Sequence, residues 1–241
     1  MKAFILAAGY GTRLKPITDK IPKALVEVAG ITNLERAINH LIKYDVTEII
    51  INVHHFADQV ISFLKSKNNF GIKIEISHEV DYPLDTGGGL KKVAWFFDDG
   101  KPFIILNVDI ITDINFHDMI AYHNNSGSIA TLAILERESS RYFLFDEDLY
   151  LCGWKNVKTG EQIIPIKGEL KQYAFSGLHI LSPDIFKYLQ KVDKFSLITT
   201  YLELIQFEKI RGYIHSENYW FDIGNIKKLQ NAEKYLNFKG K

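Results

Sequence analysis

Leu6-Ala7-Ala8-Gly9-Tyr10-Gly11-Thr12-Arg13-Leu14-Lys15-Pro16-Ile17-Thr18, followed by Pro22-Lys23, is the stretch that decides the fold. The apolar run Ala3-Phe4-Ile5-Leu6-Ala7 feeds directly into it, which predicts a strand buried on both faces (Lys2–Ala7) ending in a loop of small residues. Gly9 and Gly11 lack a Cβ, so the backbone there can adopt positive φ and approach a ligand closely. Successive N–H groups in such a turn form a concave anion site. Arg13 and Lys23 add two cations beside it. Together these are the parts of a triphosphate cradle. Two other phosphate motifs are excluded: the dinucleotide fingerprint needs Gly where Leu14 stands, and the Walker pattern is absent.

Outward from this loop, strand and helix patterns alternate. Ala24–Val28 reads as a short strand, and 33–44 as a helix with Thr32 or Asn33 as cap and Leu34, Ala37, Ile38, Leu41 and Ile42 on one face. Glu48–Val53 reads as a strand, 56–66 as a helix and 72–77 as a strand. A second Gly-rich loop, Asp81-Tyr82-Pro83-Leu84-Asp85-Thr86-Gly87-Gly88-Gly89, opens onto a predicted helix over 90–97. A fourth apolar strand, 103–108, ends at Asp109. Four alternations with short connections predict βαβ units, hence an α/β fold with a mainly parallel sheet flanked by helices. Ligands of such sheets bind at the carboxyl ends of the strands, where Gly9–Arg13, Pro83–Gly89 and Asp109 can meet.

The second half is less regular. It reads as strands over 129–135 and 173–181, a hairpin of 142–145 with 149–154, helices over 183–190 and 198–207, and a short strand at 213–215. Trp220–Gly224 then precedes a last helix from Ile226 to about 238. Among 241 residues no Ser/Pro/Gly-rich linker marks a boundary, so the chain reads as one domain, 1–241, with a smaller mixed lobe walling the pocket.

Lys+Arg and Asp+Glu are both 29, so no basic excess advertises nucleic acid or a membrane surface, and any anion affinity must be local. The single cysteine, Cys152, excludes an internal disulfide and fits a cytoplasmic setting. No apolar run reaches spanning length. His54-His55 lacks a further ligand at metal spacing, and Lys227-Lys228 reads as a solvated helix face.

The opening motif resembles that of the sugar-1-phosphate nucleotidyltransferases, Gly-x-Gly-Thr-Arg-Leu-x-Pro-x-Thr with Pro-Lys several residues on. The likeness continues through Leu84–Gly89, Asp109, Phe175-Ser176-Gly177 and Trp220–Gly224. It implies a Rossmann-like, GT-A-like domain: a nucleotide-binding half over about 1–125, a sugar-binding half over about 126–225 and a terminal helix over 226–239. It also implies a reaction in which a sugar 1-phosphate and a nucleoside triphosphate give a nucleoside-diphosphate sugar and pyrophosphate. The segment Leu84–Gly89 is most similar to the N-acetylmuramate-1-phosphate uridylyltransferases of cell-wall recycling, which makes UTP and that sugar phosphate the first expectation. Mannose-1-phosphate guanylyltransferases, phosphocholine-type cytidylyltransferases and a catalytically silent nucleotide-sugar-binding regulator are the alternatives.

The resemblance also implies roles for individual residues. Ala7, Ala8, Gly9, Gly11 and Thr12 line the triphosphate turn. Arg13 holds the β- and γ-phosphates, and Lys23 sits at the α-phosphate. Asp109 and Asp222 bind Mg²⁺, and Asp85, Thr86 and Gly88 face the nucleotide. Asn107, Ser176 and Gly177 approach the sugar. The Glu-Lys-Pro segment that grips the sugar phosphate in relatives is missing, so Lys155, Lys158 and Lys167 are the substitutes, with Lys155 taken first. Neither nucleic acid nor membrane is an expected partner, and oligomeric state is left open.

Overall fold

A computed structural model of the chain describes residues 1–239. Its strands are β1 (Lys2–Leu6), β2 (Glu27–Val28), β3 (Ile31–Thr32), β4 (Glu48–Val53), β5 (Lys73–His78), β6 (Phe103–Asn107), β7 (Ile110–Thr112), β8 (Ala130–Leu135), β9 (Arg141–Phe145), β10 (Leu151–Asn156), β11 (Gln162–Ile163), β12 (Lys171–Leu181), β13 (Ile210–Ile214) and β14 (Trp220–Asp222). Its α-helices are α1 (Asn33–Lys43), α2 (Ala57–Ser66), α3 (Asp85–Lys92), α4 (Phe116–Ser126), α5 (Leu197–Leu204) and α6 (Ile226–Lys239).

Ten strands form one continuous sheet. Its centre, in the order β6-β1-β4-β5, is parallel throughout. Helical connections make this possible, because a parallel pair needs a crossover. β12 then joins β6 antiparallel and carries β9, β10 and β11 beyond it. β8 also pairs antiparallel with β12, so β8 runs parallel to β6 and β1. The strands of the second half thus extend the parallel sheet in mixed orientation.

Alternation along β1 explains the two apolar layers. Ala3 and Ile5 face one side and pack, with Ile49 and Ile51, against Leu34, Ile38 and Leu41 of α1 and Val60 and Leu64 of α2. Phe4 faces the other side, with Ile50 and Ile105, against Leu90 of α3 and Leu197 and Tyr201 of α5. A third, smaller cluster matters more for function. Leu14, from the loop after β1, is fully buried with Val26, Val28, Ile111, Ile223, Leu229 and Ala232. Burying Leu14 stabilises that arrangement by about 2 kcal/mol and ties the Gly-rich loop to α6 and the β7–β14 ribbon.

Most elements lie where the pattern places them, and Glu48–Val53 matches to the residue. Three expectations are corrected, and one helix is added. Ala24–Val28 divides into a 3-10 turn, Lys23–Leu25, and the two-residue strand β2. Residues 183–190 form a 3-10 segment, Pro183–Tyr188, rather than an α-helix. α3 begins at Asp85, five residues before the expected start. α4 was not anticipated, because a polar run, His117, Asp118, His123, Asn124 and Asn125, obscures its apolar stripe.

Candidate active site

Gly11 sits at φ 64° and opens the single 3-10 turn Thr12–Leu14. A Cβ at Gly11 would lie 2.9 Å from Thr18 Cγ2 and 3.2 Å from Lys23 Cβ, so the position has neither the dihedral freedom nor the space for a side chain. The Gly11 carbonyl accepts from Leu14 N at 2.8 Å and from Thr18 Oγ1 at 2.9 Å. Thr18, buried and five residues past Arg13, therefore pins the turn from below. Gly9, by contrast, is exposed with open space where a Cβ would be, as a residue facing a ligand requires. Ala7 and Ala8 are buried at the strand end, and Thr12 and Arg13 are exposed.

Behind the turn lies a polar relay built on Asn52 and Glu79. Ala7 N donates to Asn52 Oδ1 at 2.7 Å, Asn52 Nδ2 donates to Glu79 Oε1 at 2.7 Å, and Leu84 N donates to Glu79 Oε2 at 2.7 Å. Asn52 is 3% and Glu79 2% exposed. Two carboxylate oxygens, each with one donor, thus join the end of β1 to the loop after β5. His54, set aside from sequence, bridges the same loops: Nδ1 meets the Glu79 carbonyl at 2.6 Å and Nε2 meets Tyr10 Oη at 3.0 Å. A cavity of about 360 Å³ opens here, lined by Ala8, Gly9, Tyr10, Glu79, Asp85 and Thr86 among others.

The second Gly-rich loop works differently from expectation. Asp85 has φ 62°, which Asp tolerates better than most side chains, and its Oδ1 accepts from Thr86 N at 2.6 Å. Thr86 Oγ1 accepts from Leu197 N at 2.9 Å. Gly87 N and Gly88 N both donate to the Phe195 carbonyl. A Cβ on Gly88 would fall 2.0 Å from the Asp193 carbonyl oxygen, and one on Gly87 2.3 Å from the Phe195 ring. Gly87 and Gly88 thus let α3 pack against residues 193–197, and the first N–H groups of α3 are already engaged. Gly88 is buried with its N–H engaged, and Asp85 and Thr86 line the cavity.

Asp109 and Asp222, more than a hundred residues apart, are brought together by backbone pairing. β14 runs antiparallel to β7 with Asp222 opposite Ile110, and Ile223 N donates to the Asp109 carbonyl at 2.9 Å. Each carboxylate already faces a lysine. Lys23 Nζ pairs with Asp109 Oδ2, and Lys228 Nζ lies 2.5 Å from Asp222 Oδ2. Lys228, read from sequence as solvated, is half-buried against Asp222. Burial raises the Asp222 pKa, but the charges of Lys228, Lys23 and Arg13 outweigh it and leave the carboxyl below its ordinary value. Gly224 makes room for this: a Cβ there would meet Asp222 Oδ1 at 2.8 Å and Arg13 Nη2 at 3.1 Å. Among the described residues no group of three or more His, Cys, Asp or Glu side chains forms a metal cage. Two hard carboxylates beside the Gly9–Arg13 turn nevertheless fit Mg²⁺, a cation that prefers oxygen ligands and keeps waters.

A second cavity, about 190 Å³, adjoins the aspartates and is lined by Arg13, Asn107, Asp109, Ile110, Arg137, Phe175, Ser176, Gly177, Trp220 and Asp222. Gly177, at φ 80°, lets β12 pass close to Asn107, whose Nδ2 would lie 3.0 Å from a Cβ there. Ser176 is fully buried, with Oγ 2.7 Å from His215 Nε2 and its carbonyl accepting from Trp220 Nε1 at 2.8 Å. Burial, reinforced by the Arg137 charge, pulls the His215 pKa down to about 4. Lys155 is not brought to this cavity: it lies on β10, beyond β9 from β12, and Lys158 and Lys167 are exposed elsewhere. Arg137, which no sequence signal singled out, lines it instead.

The chain matches the nucleotidyl transferase family over residues 2–237. It is 32% identical over 237 residues to a mannose-1-phosphate guanyltransferase of Gibberella zeae, covering 94% of this chain and 62% of the relative. It is 30% identical over 246 residues to a mannose-1-phosphate guanylyltransferase catalytic subunit beta of Dictyostelium discoideum, covering 98% and 65%. The chain thus spans under two thirds of the length of these curated relatives. In fold it is similar to HddC of Yersinia pseudotuberculosis, solved in complex with GMP-PN, at TM-score 0.76, 24% identity and 98% and 99% coverage. A glucose-1-phosphate thymidylyltransferase structure from Bacillus anthracis superposes at TM-score 0.79, with 20% identity and 98% and 94% coverage. With the Gly9–Arg13 turn, the paired aspartates and a family match over nearly its whole length, the chain belongs to the nucleotidyl transferase family.

Proposed function

We propose that the protein is a Mg²⁺-dependent sugar-1-phosphate nucleotidyltransferase that joins a nucleoside triphosphate to a sugar 1-phosphate and releases pyrophosphate. The observation that carries this reading is the β7–β14 pairing, which sets Asp222 beside Asp109 across from the Gly9–Arg13 turn. The attacking phosphate oxygen is already ionised, so the reaction needs no general base. Its barrier is the approach of two anions in line, and positioning and charge neutralisation lower it. Gly9, Gly11 and Thr12 offer backbone donors to the triphosphate. Arg13 receives the departing pyrophosphate through a rigid fork of donors. Lys23 exchanges its partner Asp109 for the α-phosphate when nucleotide enters. Asp109 and Asp222 would hold the Mg²⁺, which would supply positive charge to neutralise the phosphates.

For the base and sugar, the names of the curated relatives support a guanosine nucleotide and a mannose-type 1-phosphate. The Leu84–Gly89 pattern that suggested UTP and N-acetylmuramate 1-phosphate has a packing explanation in Gly87 and Gly88 and a capping one in Asp85, so it carries less weight for the substrate. A pyrophosphate-release screen of four nucleotides against a panel of sugar 1-phosphates decides both levels. Turnover with GTP and mannose 1-phosphate supports the full reading. Turnover with UTP and N-acetylmuramate 1-phosphate restores the first expectation within the same reaction class. Silence with every pair refutes the enzymatic reading.

A further inference from the structure

We infer that Arg137 receives the phosphate of the second substrate, the sugar 1-phosphate; this rests on the reaction proposed above. Electrostatics makes the case. A dianionic sugar phosphate entering beside Asp109 and Asp222 meets two carboxylates, and it needs a cation that the triphosphate has not already taken. Among the described residues, the cationic side chains lining the 190 Å³ cavity are Arg13 and Arg137. Arg13 stands on the triphosphate side, against Gly224.

Topology puts Arg137 in reach. β8 runs parallel to β6 and β1, so its carboxyl end, where Arg137 follows Leu135, lies on the same sheet edge as Gly9 and Asp109. The guanidinium is also held in one orientation. It stacks 4.1 Å from the centre of the Trp220 ring, Nη2 donates to the Phe175 carbonyl at 2.8 Å, and Nη1 donates to the Glu138 carbonyl at 3.2 Å. Trp220 is fixed in turn through Ser176. Nε is buried and has no acceptor. Two of five N–H groups are engaged by backbone, and the remaining Nη hydrogens stay free for a phosphate. A planar fork that is already ordered loses little freedom on binding an anion. Arg137 thus takes the role expected of the missing Glu-Lys-Pro lysine.

The test uses the full chain and the active pair found by the screen. Arg137→Met and Arg137→Lys are compared with Lys155→Met for the KM of each substrate, kcat, equilibrium binding of the nucleotide alone, and thermal midpoint. Losing charge-assisted hydrogen bonds to a phosphate raises the sugar-phosphate KM about 10–100-fold in Arg137→Met. Nucleotide binding stays within about twofold. Arg137→Lys, which keeps charge but loses the fork, falls between. If Arg137→Met is unstable, Arg137→Lys carries the same comparison. An unchanged sugar-phosphate KM overturns the inference. So does an equal loss of nucleotide and sugar-phosphate affinity together with a fall in melting temperature, which marks a structural clamp on Trp220. Transfer of the whole effect to Lys155→Met overturns it as well. A wild-type protein silent with every sugar phosphate removes the underlying reaction, an outcome seen before any variant is made.

Discussion

Replacing Gly11 by Ala tests whether the turn after β1 is a built cradle. Two independent quantities in the structure set the expected effect. At φ 64° an L side chain carries a penalty of about 1–2 kcal/mol that glycine does not. The new Cβ would also sit 2.9 Å from Thr18 Cγ2 and 3.2 Å from Lys23 Cβ, both tighter than ordinary contact, so the turn must shift by roughly half an ångström. For a domain of this size, ~1–2 kcal/mol lowers the melting temperature by about 2–8 °C. The displacement matters more for chemistry, because misplacing a positioned group by about 1 Å costs up to about 10²-fold in rate. Gly11→Ala is therefore expected to lower kcat/KM about 10–100-fold, measured by pyrophosphate release, while circular dichroism reports a modest loss of stability. Gly9→Ala, with open space and no positive φ, is expected to leave the melting temperature unchanged. If Gly11→Ala kept both its melting temperature and its kcat/KM, the turn would not be what organises the phosphate site.

Three further outcomes follow from the geometry. Arg13→Ala is expected to cut turnover about 10²–10³-fold, and Asp109→Asn or Asp222→Asn to raise the Mg²⁺ concentration needed for half-maximal rate, both read from initial rates; wild-type behaviour in all three would misplace the site. Asn52→Leu leaves buried Ala7 N without an acceptor and the Glu79 carboxylate short of a donor, which costs about 3 kcal/mol and is read as a lower urea midpoint. His179, buried against Tyr201 Oη at 2.8 Å, has its pKa pulled down by burial to about 3, so the folded protein holds it neutral. Its contribution is present above pH 6.5 and lost as pH falls toward 3, about 3 kcal/mol by pH 4, and His179→Asn should flatten that part of the urea-midpoint profile.

The sequence exposed those features whose physics is local. Ile49 to Ile51 make an unambiguous strand, Gly11 marks a positive-φ turn, and Asp109 ends an apolar run, so the central sheet and one edge of the site could be read directly. What escaped depends on distance in the chain. Asn52 and Glu79 look like ordinary polar residues until β4 and β5 pair and bury them between two loops. The three-residue strand β14 has no periodicity of its own and exists because Thr112, Ile111 and Ile110 pair with it. Lys228 reads as solvated because a helical wheel cannot show that Asp222 lies beside it. Gly87 and Gly88 resemble a phosphate loop in sequence, and only the structure shows how tightly they pack against Asp193 and Phe195.

The β7–β14 ribbon also sets when the site can exist during synthesis. Gly11, Arg13 and Lys23 leave the ribosome early, Asp109 later, and Asp222 only after more than a hundred further residues, about 6–20 s at usual elongation rates. Until then Asp109 has Lys23 for company but no second carboxylate. On the proposed function, the stabilisation that nucleotide and metal would give reaches only chains elongated past Asp222, and a product interrupted before Trp220 lacks it.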